Sequence, residues 1–257
     1  NQKDILSEIR EGAKKGVKEV ILLGQNVNSY NFEGISFSSL IYSLAEIDEI
    51  KRIRFMTSHP KDMTDELINA FGEIHKLMPF LHLPVQSGSN RILKSMNRGH
   101  VVEEYVEIIN KLRLVRKDMC FSSDFIVGYQ GETDRDFQET IDLCEQVQFA
   151  QAYSFNYSSR PGTPAARKEE LDDNLKKIRL HALQDLLNKQ QITFLKEQKD
   201  RQHKVLFEKV GRGINEYVGR TEQFSPVTVL SEENIVGEVR RVEINSVMSH
   251  SLKGALK

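Results

Sequence analysis

The 257-residue sequence contains only two cysteines and no long apolar segment. Cys120 and Cys144 are too far apart for a C-x-x-C site, and each stands in an apolar pattern, so both are predicted to be buried. No apolar run approaches the roughly 18 residues that a membrane helix needs, and the first residues do not form a signal peptide. We therefore expect a cytoplasmic globular protein with no membrane attachment.

The sequence also lacks an excess of charge of either sign. Its 36 Lys and Arg residues oppose 37 Asp and Glu residues, which gives a net charge of −1. Composition alone therefore favours an ordinary mixed surface and does not indicate a nucleic-acid-binding protein. The length allows one large or two smaller domains, each with its own core.

Strand and helix patterns alternate through the first two thirds of the sequence. Short apolar runs occur at residues 19–24, 52–57, 80–84, 121–128 and 151–157, and amphipathic helical patterns separate them. Thr64 and Thr133 are predicted to cap two of these helices. Five strand–helix units predict an α/β domain over residues 1–168, with a parallel sheet that is open or barrel-like. Five strands do not close such a barrel, and the chain opens on a helix, so a strand is expected to be missing at the N-terminus.

The pattern changes after residue 168. Residues 169–199 predict a long, highly charged connecting helix, whose expected buried stripe comprises Leu171, Leu175, Ile178, Ala182 and Leu186, with Leu187 as a further candidate. From residue 200 to 257, short apolar alternations are separated by Gly, Asn, Ser and Pro. This pattern predicts a separate small antiparallel β-barrel of about five strands, in the OB-like class.

Polar, glycine-containing loops follow the predicted strands, where ligands of parallel α/β proteins bind. The loop after the first strand reads GQNVNSY and begins with Gly24, Gln25 and Asn26. Its glycine allows close approach of a ligand, and its amides supply donors and acceptors. The alternative is an Asx-rich turn without a ligand. His59 follows the second strand and lies at the same end of the predicted sheet, which we call the mouth, although a lone histidine is usually structural.

Three stretches carry a resemblance to a known family: LHLPVQSGSNRILKSMNRG at 81–99, GQNVNSY at 24–30 and SSRPGTPAA at 158–166. With them the sequence resembles the radical S-adenosylmethionine (SAM) methylthiotransferases over essentially its whole length. GQNVNSY favours the branch that modifies isopentenyladenosine beside the anticodon of tRNA. Sister branches act on threonylcarbamoyl-adenosine or on a ribosomal-protein aspartate, and a non-catalytic RNA-binding module is a further alternative. The family usually has proline where Gln130 stands.

The resemblance implies a radical SAM barrel, S-adenosylmethionine as cofactor and two 4Fe–4S clusters. One cluster needs a C-x3-C-x2-C loop, which is absent here, so no catalytic residue is assigned and the chain is expected to be the C-terminal part of the enzyme, truncated within its barrel. The expected cofactor-binding residues are Gly24, Gln25, Asn26, Ser58, His59, Gln86, Ser87, Asp124, Gly128, Glu132 and Arg160.

The resemblance also implies that tRNA is a partner and that residues 200–257 form a TRAM domain. Cations and aromatics on a small barrel suit unpaired bases, and Arg91, Lys94 and Arg98 stand at helical spacing, which predicts one cationic helix face. The remaining expected RNA-binding residues are Tyr217, Arg220, Phe224, His250 and Lys253. The alternatives are a solvated helix face and a barrel that only packs. A flavodoxin- or ferredoxin-like reductant and a monomeric state complete these expectations.

Overall fold

The computed structural model describes residues 1–159 and 171–257. Helices and strands alternate over the first of these ranges. The helices are α1 (Gln2–Lys14), α2 (Phe37–Ala45), α3 (Asp65–Glu73), α4 (Asn90–Ser95), α5 (Val102–Val115) and α6 (Asp134–Val147). The strands are β1 (Glu19–Leu22), β2 (Asn31–Phe32), β3 (Ile35–Ser36), β4 (Arg52–Phe55), β5 (Phe80–His82), β6 (Cys120–Val127) and β7 (Gln151–Asn156). No described helix is long and apolar enough to cross a membrane.

The five predicted strands are present and pair in parallel, as expected. One ladder joins β1 to β4, and a second has the order β5-β6-β7. The backbone of Ile53 connects the two ladders, because it donates to the carbonyl of Lys76 and accepts from the amide of Met78. The sheet is not closed. Among the described residues β1 pairs only with β4, so a missing neighbouring strand stays a prediction.

Capping residues set where the helices begin. The Thr133 hydroxyl accepts from the amide of Asp136, whose carboxylate accepts from the amide of Thr133, so α6 begins with a capping box. Thr64 caps α3 in the same position through the amide of Leu67. Both caps were read correctly from the sequence. The short antiparallel hairpin of β2 and β3 was not predicted, because two-residue strands leave no periodic pattern.

Alternation along the strands gives the sheet two different faces. Ile53, Phe55, Leu81, Phe121 and Phe125 belong to the main hydrophobic core under the helices. The residues between them point to the opposite, concave face, because successive strand side chains alternate. That face is polar in its centre and includes Arg52, Arg54, His82, Ser122 and Asp124.

Helix α7 (Asp173–Lys196) links the sheet to the C-terminal part. The buried stripe predicted for it is wrong in its main positions, since Ile178 is 65% exposed and Leu183 enters the main core, whereas the further candidate Leu187 is buried there. Arg179 is also buried on the core side. The apolar pattern was misleading because ion pairing lets an arginine occupy a position where the sequence suggested a leucine stripe.

The C-terminal strands form a closed five-stranded barrel, as predicted. The strands are β8 (Gln202–Val210), β9 (Glu216–Arg220), β10 (Pro226–Leu230), β11 (Val239–Val247) and β12 (Leu252–Leu256), in the closed order β10-β12-β11-β8-β9. The expectation of purely antiparallel pairing is wrong, because β10 and β12 run parallel. A closed ring of five strands cannot alternate direction throughout, so at least one parallel pair is unavoidable. The barrel has its own core, which Leu195 of α7 joins.

Two buried arginines of β4 bind this barrel to the concave face of the sheet through hydrogen bonds. Arg52 donates to the carbonyls of Arg220 and Lys204, each at 2.8 Å. Arg54 donates to the carbonyls of Thr221 and Glu222, each at 2.9 Å. Burial lowers the pKa of both guanidinium groups, that of Arg54 to about 10.

Glu19 of β1 supplies the opposing charge at this junction. Its carboxylate lies 3.2 Å from Nε of Arg54 and 3.8 Å from Nη1 of Arg52. The Arg54 guanidinium also stacks on the ring of Phe224, 4.7 Å from the centroid. The junction is therefore a buried contact between sheet and barrel, in which one carboxylate compensates part of the charge of two guanidinium groups.

Candidate functional site

The loops after β1 and β4 are bound to each other through asparagine side chains. The Asn28 amide donates to the carbonyl of His59 at 3.0 Å and accepts from the His59 amide at 2.8 Å. Asn26 donates to the Asp62 carboxylate at 2.6 Å, and its own Oδ1 is buried without a hydrogen bond among the described residues. Asn28 thus shapes the loop, whereas Asn26 retains an unused acceptor.

Two other predicted residues of these loops have simpler placements. The carbonyl of Gly24 accepts from the Thr57 hydroxyl, and Gln25 is exposed. Arg160 lies outside the described residues. Asp62, which sequence reasoning missed, is thereby identified as the partner that orients Asn26.

Ser58 and His59 follow β4 and lie at the mouth of the sheet. The Ser58 hydroxyl donates to the carbonyl of His82 at 2.5 Å. The His59 ring accepts from the Lys61 amide and lies edge-on to the ring of His100, with centroids 5.4 Å apart. Burial lowers the pKa of both histidines, so both rings are held neutral over a wider pH range than free histidine.

A polar cluster occupies the centre of the concave face. His82 lies 3.0 Å from the Ser122 hydroxyl through Nδ1 and 3.6 Å from the Asp124 carboxylate through Nε2. The ring of Tyr153 stands edge-on to His82 at 6.5 Å. Asp124 was predicted as a site residue, but His82 was not. The sequence could have indicated His82, because it is the single polar residue between two leucines in the strand segment LHL.

Arg98 belongs to this mouth and not to a cationic helix face. Helix α4 ends at Ser95, and Asn97 takes the left-handed conformation at φ 57°, so the chain turns before Arg98. Burial lowers the pKa of Arg98, and the nearby charge of Asp124 opposes that shift. The charge of Arg98 in turn contributes to lowering the pKa of His59. The predicted shared face of Arg91, Lys94 and Arg98 is therefore wrong for Arg98.

One part of the loop after β5 lies at the mouth, and the next part packs against the outer helices. Gln86 has φ 76° and bonds through its backbone to Asp124 and Ile126 of β6, which places it beside the cluster. The Ser87 hydroxyl is fully buried against Thr140 of α6, so it supports the loop. A Cβ on Gly88 would stand 2.3 Å from a backbone oxygen of α6, which shows how closely the loop packs there.

Gly128 and Glu132 tie the loop after β6 to α7. The Glu132 carboxylate accepts from the Gly128 amide at 2.9 Å and from Arg179 at 2.8 Å. Burial raises the pKa of Glu132, and these two donors oppose the shift. The space beside Gly128 is taken by Lys176, whose Cγ would lie 2.6 Å from an added Cβ. Both residues therefore have structural partners.

The remaining residues predicted to bind RNA have mixed placements. Arg91 donates to the Asp136 carboxylate and to the carbonyl of Gly131. Lys94 and Lys253 are exposed, and Tyr217 is half-buried. His250 lies on the surface with its Nδ1 3.1 Å from Oε1 of Gln191 in α7.

Arg220 and Phe224 lie at the junction of sheet and barrel. The Phe224 ring packs against Phe80, with centroids 5.2 Å apart, and lies between the guanidinium groups of Arg54 and Arg220. Arg220 also pairs with Glu208 at 3.2 Å and keeps a side chain that is 35% exposed. Phe224 is thus committed to packing, while part of Arg220 stays accessible.

The chain cannot by itself hold a cluster that needs three thiolates. It has two cysteines, both buried, and burial raises the pKa of Cys120 to about 12 and that of Cys144 further. The described residues contain no group of three His, Cys, Asp or Glu side chains able to hold a metal ion. The donor set therefore does not fit an iron–sulfur cluster.

Comparisons with known proteins agree with this architecture. The model of the Radical SAM superfamily matches residues 1–144. A tRNA-2-methylthio-N(6)-dimethylallyladenosine synthase of Ruegeria sp. is 46% identical over 98% of this chain and 58% of its own length. One of the same name from Bartonella tribocorum is 47% identical over 98% of this chain and 56% of its own. The chain thus spans under three fifths of these relatives.

Among solved structures, coproporphyrinogen III oxidase (HemN) from Escherichia coli, a radical SAM enzyme, is similar in fold. The TM-score is 0.55 at 14% identity, and the match covers 96% of this chain and 62% of that one.

Proposed function

The chain belongs to the radical SAM superfamily, and we propose that it acts within an enzyme that adds a methylthio group to carbon-2 of isopentenyladenosine in tRNA. The observation that carries the proposal is the identity of 46–47% along 98% of the chain to proteins named for that activity. Such identity over both the sheet and the barrel supports the same substrate class as well as the same fold.

The polar mouth suits the amino-acid part of S-adenosylmethionine. Asn26 offers an unused buried acceptor for the ammonium group, and Arg98 offers a cation for the carboxylate. The backbone of Gln86 donates to the carbonyl of Asp124, whose charge acts on Arg98. S-adenosylmethionine would be the source of the radical in the complete enzyme. The thiolates for that cluster, and for a second one, are proposed to come from outside this chain.

The chain's own residues would bind and orient the reactants. Asp62 holds the Asn26 amide, which fixes the direction of its free oxygen. Ser122 and Asp124 hold His82 from two sides, so the ring cannot rotate freely across the mouth. The low pKa of His59 keeps its ring neutral beside Arg98, which avoids repulsion within the mouth.

We further propose the partners that this activity requires. The C-terminal barrel would be a TRAM domain that holds tRNA, with Lys94, Tyr217, Lys253 and the exposed part of Arg220 available for contact. A flavodoxin- or ferredoxin-like protein would supply electrons. The enzyme would act as a monomer in the cytoplasm.

A fusion protein tests the proposed function. The part of the Ruegeria relative that precedes the matched region is joined to this chain and produced in cells that lack their own methylthiotransferase. Nucleosides from their tRNA are then analysed by mass spectrometry. We expect 2-methylthio-isopentenyladenosine from the fusion and none from either part alone.

The rival activities give different products in the same cells. A methylthio derivative of threonylcarbamoyl-adenosine, or of an aspartate in a ribosomal protein, would assign the chain to a sister branch. Retention of tRNA by the folded fusion without any methylthio product would favour a non-catalytic RNA-binding module.

A further inference from the structure

A groove runs along the edge of the sheet beside α7. It consists of two adjoining cavities of about 410 and 290 Å³, which share Ala152, Tyr153 and Asn188. Strand β7 forms one wall and pairs only with β6 among the described residues. Helix α7 forms the other wall, and the C-terminal barrel closes one end.

Two aromatic rings of β7 are available in this groove. Tyr153 is 48% exposed and Phe155 is 55% exposed. They stand two residues apart and so project from the same face of the strand. Their exposure on neighbouring positions indicates a surface for a flat apolar partner.

The opposite wall carries carboxamides on one face of α7. Gln184, Asn188 and Gln191 are spaced by four and three residues, which aligns them along the helix. Each amide offers both donors and acceptors and can therefore match the edge of a nucleobase.

The charge of the groove favours an anionic partner. No carboxylate lines either cavity among the described residues, although the sequence has 37 acidic residues. Arg220 lines the end that meets the barrel together with His250, and its guanidinium pairs with Glu208 while the side chain stays 35% exposed. Aromatic rings, amides and an arginine, with no carboxylate among the lining residues, are a combination that suits single-stranded nucleic acid.

We propose that this groove binds unpaired nucleotides of the RNA substrate. Bases stack on Tyr153 and Phe155, and the carboxamides of α7 contact base edges. The edge-on contact of Tyr153 with His82 connects the groove to the mouth, so the bound nucleotides neighbour the one being modified. The inference rests on the proposed function in taking RNA as the substrate.

Binding of a labelled RNA to the 257-residue chain tests the groove. The probe is a fluorescent anticodon stem–loop, and the same strand annealed to its full complement removes the unpaired bases. Phe155→Leu retains apolar volume but lacks a ring, whereas Phe155→Tyr keeps the ring. We expect Phe155→Leu to weaken binding of the stem–loop about fivefold or more, the effect of losing roughly 1 kcal/mol of stacking. Phe155→Tyr should bind like the wild type, and binding of the duplex should not respond.

A charge substitution provides an independent variant that changes little volume. Asn188→Asp places a carboxylate in the groove, whereas Asn110→Asp makes the same change at an exposed position of α5. We expect only Asn188→Asp to weaken binding of the stem–loop, and by less at high salt. Far-UV circular dichroism confirms that each variant is folded.

Unchanged binding of the stem–loop by folded Phe155→Leu and Asn188→Asp would overturn the inference, and so would equal losses for stem–loop and duplex. The two proposals fail separately. If groove variants lose RNA binding while the fusion makes no methylthio product, only the proposed function fails. If the fusion makes that product and groove variants bind normally, only the groove inference fails.

Discussion

Removing Arg54 from the junction should destabilise the protein strongly. The Arg54 side chain is fully buried, contacts Glu19 and donates to two carbonyls of the barrel. Arg54→Met keeps a similar length but leaves the Glu19 carboxylate, only 10% exposed, with the more distant Arg52 alone. Breaking a buried ion pair from one side costs about 3–5 kcal/mol, because the remaining charge stays buried.

Urea unfolding followed by far-UV circular dichroism measures this cost, since the sequence has no tryptophan. Arg240→Met is the matched control, because Arg240 pairs with Glu238 at the surface, where such a pair contributes about 0–1 kcal/mol. Adding Glu19→Gln to Arg54→Met should not restore the stability, because the Glu19 carboxylate still faces Arg52 at 3.8 Å in Arg54→Met and its removal leaves that buried guanidinium without its nearest carboxylate. A loss below about 1 kcal/mol for Arg54→Met would refute the reasoning, because a buried pair would then behave like an exposed one.

Three further predictions concern packing, pH and metal binding. Gly88→Ala should cost about 1–3 kcal/mol in thermal unfolding, because its Cβ meets the backbone of α6, whereas Gly12→Ala in α1 should be neutral or stabilising by up to about 1 kcal/mol. Burial opposes the charge of Asp136, but hydrogen bonds led by Arg91 outweigh it and hold the pKa of Asp136 below its usual range. The stability that the ionised Asp136 contributes is therefore present above the unfolded pKa of about 3.9 and is lost as the pH falls through the lower folded pKa. The urea midpoints of Asp136→Asn and the wild type should thus converge in acid. A difference between the midpoints that stays constant with pH would contradict this. Reconstitution with iron and sulfide should give no stoichiometric 4Fe–4S cluster on this chain, and a cluster spectrum lost on changing either cysteine would contradict the assignment of both to the core.

Local patterns were enough to predict much of the fold. The strands were visible as apolar runs, and the capping residues of α3 and α6 were visible as Thr64 and Thr133. These features depend on neighbours within a few residues, which a single sequence displays. The short apolar alternations after residue 200 predicted a barrel of about five strands for the same reason.

Contacts between distant residues could not be predicted in the same way. Arg52 and Arg54 read as ordinary polar positions of a strand, yet their partners lie more than 150 residues away. Phe224 suggested a base-stacking residue, but the barrel docks on the sheet and encloses its ring between two arginines. Arg98 was placed on a helix because its spacing is helical, and the left-handed turn at Asn97 redirects it.

The most direct test of the proposed site compares two aspartates in the fusion enzyme, one within β6 and one just before it. Asp124 faces the mouth beside His82, whereas Asp118 pairs with Arg116 before the strand begins. The rate of methylthio-isopentenyladenosine formation is measured for Asp124→Asn and Asp118→Asn against the unmodified fusion. We predict a loss of about 100-fold or more for Asp124→Asn, as expected when a charged group that orients the reactants is removed, and an unchanged rate for Asp118→Asn. Equal rates for the two variants would contradict the assignment of the mouth as the site of reaction.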